Sequence, residues 1–118
     1  CEQPDDPLYA EFATMAVQLA TFKNVDGRPY RLVPLPIPAP IRSEEGDRLP
    51  ATYANFLIIN DAVLVPVYND PADRVALERL ADCFPGRDII AIDCVPLIRQ
   101  YGSLHCMTMQ FPSSIPVA

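Results

Sequence analysis

Apolar side chains follow two periods along this chain and switch between them in a regular order. Leu8, Phe12, Met15, Leu19 and Phe22 are spaced by four, three, four and three residues, which is one face of an amphipathic helix. Asp6 offers an oxygen to the free amides at its start, and Pro7 loses nothing by lacking a backbone N–H at a first helical position. The helix is expected to end near Asn24, ahead of a turn at Asp26-Gly27-Arg28-Pro29. Tyr30 to Val33 reads as a short strand. Pro34, Pro36, Pro38 and Pro40 then alternate with Leu35, Ile37 and Ala39. Every second backbone donor is missing there, so the pattern excludes a central strand and predicts an extended edge or polyproline-like connector. Such a run could also serve a proline-recognising module, but it lies between core elements rather than in a polar tail.

After a charged loop at Arg42 to Arg48 the period becomes two. Thr52 to Ile59 and Ala62 to Tyr68 read as strands joined by Asn60-Asp61, a tight hairpin apolar on both faces and therefore buried. Asp70-Pro71 starts a second helix, with Asp73 in its first turn matching the helix dipole. Ala76, Leu77, Leu80, Cys83 and Phe84 form its inner face; Arg74, Glu78, Arg79 and Asp82 face water. Pro85-Gly86 stops it. Asp88 to Asp93 is a further strand, Val95 to Gln100 a short turn, and Leu104 to Phe111 a last strand. The order is strand, strand, helix, strand, and an added strand.

The composition narrows the function. The chain has 118 residues, half of them hydrophobic, enough for one core, and its net charge of -6 excludes the clustered basic surface that nucleic acid or an anionic membrane requires. No apolar run is long enough to span a bilayer, and a cytoplasmic location is expected. The opening Cys1-Glu2-Gln3-Pro4-Asp5-Asp6-Pro7 reads as a linker, as in a fragment or processed piece. Cys1, Cys83, Cys94 and Cys106 are too scattered for a disulfide framework, and one histidine with three dispersed cysteines is a poor zinc ligand supply, so no metal or organic cofactor is expected. Cys83 and Cys94 lie in apolar contexts as buried free thiols.

Chemistry gathers near the end of the chain, in Arg99-Gln100-Tyr101-Gly102-Ser103-Leu104-His105-Cys106-Met107-Thr108-Met109-Gln110-Phe111-Pro112. A thiolate is the strongest side-chain nucleophile, and Gly102 just before it permits a close approach of substrate to backbone. From composition alone Cys106 reads first as an inert buried thiol. On a strand His105 and Cys106 would point to opposite faces, which opposes a Cys-His pair and leaves His105 as a packed structural residue.

This run resembles the nucleophile segment of the agmatine deiminases and the Porphyromonas-type peptidylarginine deiminases, where Gly-Ser-Leu-His-Cys or Gly-Gly-Ile-His-Cys presents the attacking thiol. The resemblance extends through Leu49-Pro50-Ala51-Thr52-Tyr53-Ala54-Asn55-Phe56, Val65-Pro66 and Asp70-Pro71. It implies an α/β pentein fold, a propeller-like ring of five ββαβ modules, of which this chain would supply about two. Residues 1–43 would then be the end of one module and a connector, and residues 44–118 the last module with its nucleophile strand. It also implies that Cys106 attacks the guanidinium carbon of agmatine, ammonia leaves, and the thiouronium is hydrolysed to N-carbamoylputrescine, with Gly102 in a substrate-binding backbone role. The family's general-base His-x-Asp motif and guanidinium-gripping carboxylates would lie upstream, so the bare chain is expected to be inactive. Arg99-Gln100-Tyr101 departs from the glycines common in agmatine deiminases. That departure leaves peptidylarginine as the alternative substrate; the missing base and carboxylates and the exposed edges of an interrupted ring leave a non-catalytic assembly fragment as the alternative of another class, and homo-oligomerisation is left open.

Overall fold

The computed structural model describes residues 4–115; the Cys1-Glu2-Gln3 part of the expected linker lies outside them. Three strands form one sheet in the order β1 (Leu57–Ile58), β2 (Ala62–Val67), β3 (Asp88–Asp93). β1 and β2 are antiparallel, with Leu57 opposite Leu64 and Ile58 opposite Val63. β2 and β3 are parallel, from Ala62 opposite Asp88 to Val67 opposite Asp93. The parallel connection is made by helix α2 (Ala72–Cys83), as a crossover requires. The expected strand, strand, helix, strand order is therefore present.

Strand β2 is the centre of the fold. Val63 and Val65 are fully buried against Leu80 of α2, with Leu77, Phe84 and Ile89 beside them. A second cluster joins Leu49, Tyr53, Tyr68, Ala76, Cys94, Ile98 and Leu104. It links the sheet to the single-turn helix α3 (Val95–Ile98) and to the segment after it. Asp70 and Asp73 secure the start of α2. Asp70 accepts from the Ala72 amide at 2.8 Å and, through its other oxygen, from Ala39 in the proline-rich connector at 2.9 Å. Asp73 turns back to accept from the Tyr68 amide at 3.0 Å and the Tyr53 hydroxyl at 2.7 Å.

The first strand of the hairpin is much shorter than its apolar pattern predicts, and β2 explains why. Ala62 and Ile59 exchange amide hydrogen bonds, so the even-numbered residues of β2 aim their backbone groups at β1. Continuing that register places Asn55 opposite Pro66, which has no N–H to donate. The ladder ends before that point. Residues Tyr53–Asn55 instead make a 3-10 turn, begun by Thr52, whose hydroxyl accepts from the Ala54 amide. The hairpin is also less buried than expected, since Ile58 and Ile59 are exposed.

Three further expectations are corrected. Tyr30 to Val33 pairs with nothing as a strand; its side chains are exposed, and the local pairing is a single bridge between Lys23 and Pro29. Leu104 to Phe111 is not a strand either: its polar side chains bond to backbone in place of a ladder, as when Gln110 Nε2 donates to the Ile58 carbonyl at 2.7 Å. Helix α1 (Tyr9–Leu19) is present, but it buries none of its residues, and Met15 and Phe22 of the expected core face are exposed. It is tied to the body at its start, where Arg48 donates two hydrogen bonds to Asp6, at 3.0 and 2.9 Å. Asp6 in turn accepts from the Leu8 amide, and the Arg48 guanidinium beside it holds its carboxyl below the usual carboxylate value.

Candidate functional site

The segment after α3 builds the site. The Gln100 amide donates to Leu97 O and the Tyr101 amide to Ile98 O, closing the helix, and Tyr101 then takes a left-handed conformation with φ 63°. Ser103 is fully buried, its hydroxyl 2.8 Å from the Tyr68 phenol, and that phenol also bonds the Thr52 amide and carbonyl. This buried network locks the loop after α3 to the loop before β1. From that anchor His105–Met107 winds into a 3-10 turn that carries Cys106 at the surface.

Asn55 joins the two loops at the thiol. Its Oδ1 accepts from the His105 amide at 2.6 Å and the Cys106 amide at 3.4 Å. Its Nδ2 donates to Cys106 Sγ at 3.2 Å. One side chain thus caps the free amides at the start of a turn, the task an N-cap residue performs locally, and also donates to the sulfur. Hydrogen bonding from the Ser103 backbone, and then from Asn55, holds the Cys106 thiol below the ordinary thiol value. Cys94 is the contrast within the same chain: burial pushes its thiol up. Of the two thiols the exposed Cys106 is the more readily ionised, and ready ionisation is what thiol chemistry requires.

Because Cys106 lies on a 3-10 turn, the expected alternation of His105 and Cys106 across a strand does not apply. With three residues per turn, neighbours diverge by about 120°. His105 is exposed, not packed on an apolar face as expected. Cys94 is buried as expected; Cys83 is half-buried, its sulfur 3.9 Å from an Arg31 guanidinium nitrogen. At Gly102 a side-chain carbon would stand 3.3 Å from Cys106 Cβ, so the missing side chain makes room for the thiol. Asn55 was not singled out from sequence as a site residue. The available signal was Pro66, whose lack of a donor ends the ladder opposite Asn55.

Two clefts are lined by residues other than the thiol. One of about 450 Å³ is lined by residues including Arg42, Leu49, Val95 and Arg99, and one of about 440 Å³ by residues including Leu57, Arg87, Met109 and Phe111. Cys106 lines neither and stands on an open face. Among the described residues its hydrogen-bond partners are amide groups, with no carboxylate or imidazole. No group of three or more His, Cys, Asp or Glu among them could hold a metal ion. No helix among them is long and apolar enough to cross a membrane.

Comparison with known proteins adds to this geometry. Residues 1–112 match the Porphyromonas-type peptidyl-arginine deiminases. The agmatine deiminase of Pseudomonas fluorescens is 29% identical, over 95% of this chain and 35% of its own length. Among solved structures, a provisionally assigned arginine deiminase from Porphyromonas gingivalis is 52% identical with a TM-score of 0.90, over 95% of this chain and 33% of that one. A cysteine-to-serine variant of C. jejuni agmatine deiminase with substrate bound is 41% identical with a TM-score of 0.78, over 89% of this chain and 29% of that one. The chain spans about a third of the length of the curated relatives it matches.

Proposed function

This chain belongs to the Porphyromonas-type peptidyl-arginine deiminase family, and from that membership we propose that Cys106 is the nucleophile of a hydrolase acting on a guanidinium substrate. The observation that carries the reading is the Asn55 grip on Cys106, which presents an exposed thiol with amide donors at the sulfur. In the proposed reaction Sγ bonds to the guanidinium carbon and one C–N bond breaks, releasing ammonia once that nitrogen is protonated. Water then adds to the thiouronium carbon, the C–S bond breaks, and the thiolate returns as the ureido product leaves. A permanently charged guanidinium beside the sulfur further favours the thiolate. Gly102, which gives the thiol room, is also proposed to let substrate approach the backbone.

Agmatine is the substrate we favour, giving N-carbamoylputrescine. Relatives from P. fluorescens and C. jejuni are agmatine deiminases, and the substrate-bound C. jejuni protein carries a serine in place of a cysteine, a replacement suited to stopping thiol chemistry. The family's name keeps arginine in a peptide as the second reading. We further propose that the chain is the C-terminal part of a pentein ring, with residues 44–118 as its last module, and that it acts in the cytoplasm. The general base and the carboxylates that grip a guanidinium would then come from upstream, which accords with a thiol that has neither beside it.

The test is ammonia release by the polypeptide extended upstream to the length of its relatives, offered agmatine, free arginine and an arginine peptide. Agmatine turnover lost in Cys106→Ala is the expected result, and the bare 118-residue chain should release no ammonia. Turnover of the peptide instead would move the assignment to protein citrullination. Turnover retained by Cys106→Ala would overturn the nucleophile.

A further inference from the structure

The turn that presents Cys106 is entered through a residue in an unusual conformation. Tyr101 has φ 63°; among the described residues other than glycine only Asn69, at 58°, also has a positive φ. Tyr101 lies two residues past the Arg99 cap of α3, and glycine is the usual residue at such a left-handed bend because a side-chain carbon is disfavoured there. The chain has a glycine one residue later, at Gly102, and that glycine is not in the left-handed region. Its small size is used differently, since a side-chain carbon there would sit 3.3 Å from Cys106 Cβ. Glycine is placed for the thiol, and the tyrosine carries the left-handed bend.

Two contacts hold the bend. The Tyr101 amide donates to Ile98 O at 3.0 Å, and its phenol donates to Asp47 Oδ2 at 3.4 Å in the charged loop before β1. Immediately beyond it Ser103 is buried, its hydroxyl against the Tyr68 phenol. The segment from Tyr101 to Ser103 is thus pinned at both ends while its middle residue lies against Cys106.

We infer that Tyr101 is a positioning residue: its left-handed bend and its tie to Asp47 hold Gly102 and Ser103 against the Cys106 side chain. A non-glycine residue in the left-handed region persists where its surroundings over-determine it, and such residues cluster at functional sites. Loosening the bend lets the Ser103 backbone and the thiol drift apart, which weakens the hydrogen bonding that favours the thiolate. The inference rests on Cys106 being the reacting group, which ammonia release by Cys106→Ala tests separately.

The experiment is the rate of alkylation of Cys106 by iodoacetamide across pH, read by peptide mass spectrometry on the chain, with buried Cys94 as an internal reporter of folding. Tyr101→Ala, which deletes the tie, should move the pH inflection upward and slow alkylation at neutral pH several-fold, while Cys94 stays protected. Tyr101→Phe, which keeps the ring and loses the hydroxyl, should fall between the two. A Tyr101→Ala profile matching the wild type with Cys94 protected overturns the inference. If Cys94 becomes reactive in that variant, Asp47→Ala decides, since it removes the tie from the exposed side: an upward inflection supports the role, and a wild-type profile overturns it. Neither result depends on which substrate is turned over.

Discussion

At the scale of single residues, the reactivity proposed for Cys106 rests on hydrogen bonding from the Ser103 backbone and then from Asn55. Its amide is a neutral donor, and its benefit is larger for the thiolate than for the thiol, so removing it should raise the titration of Cys106 toward the ordinary thiol value. Asn55→Ala is therefore expected to shift the pH inflection of Cys106 alkylation upward and lower the rate several-fold below that inflection, with little change above it. An unchanged profile would show that the Ser103 backbone alone is sufficient. Cys106 itself was legible in the sequence because the Gly102 to Cys106 run carries a family resemblance. Asn55 was not: its role exists only through a contact 51 residues away, and its own neighbourhood reads as a strand. Tyr101 was visible only as a departure from glycine, since a backbone dihedral leaves no mark on residue type.

Among the elements, the periodic patterns located α1, α2, β2 and β3 because helix and strand periods are properties of the local chain. The readings failed where pairing decides. Residues 104–111 alternate like a strand, yet a 3-10 turn and side-chain bonds satisfy their backbone instead. β1 stops where its partner runs out of donors at Pro66. That stop frees Tyr53–Asn55 to turn and so places Asn55 at the thiol. Pro66→Val should restore the donor opposite Asn55 and let β1 lengthen at the turn's expense. Its expected signature is added amide protection at residues 54–56 in hydrogen exchange, together with an upward shift in Cys106 titration. Added protection without any shift would separate the strand's end from the site.

For the whole molecule, the radius of gyration is 16.0 Å, larger than the roughly 13.5 Å of a compact domain of this length, and the extents of 44 × 40 × 22 Å describe a slab. The shape agrees with the surface: α1 has no buried residue, and Tyr30, Leu32 and Val33 are exposed. The first helix shows why sequence reading could locate an element without locating its partner. Its apolar stripe is real, but Leu8, Phe12 and Leu19 are only partly covered and Met15 and Phe22 are exposed. A slab that carries the thiol on an exposed turn accords with the proposal that the guanidinium pocket is completed by other parts of a ring.

The central claim is a covalent bond between Cys106 and the substrate carbon, and acid-quenched mass spectrometry of the upstream-extended polypeptide during agmatine turnover tests it most directly. The account expects a peptide containing Cys106 to gain the mass of agmatine less one ammonia, with the adduct absent from Cys106→Ala. Continued turnover in Cys106→Ala, or an adduct on a different residue, would contradict it.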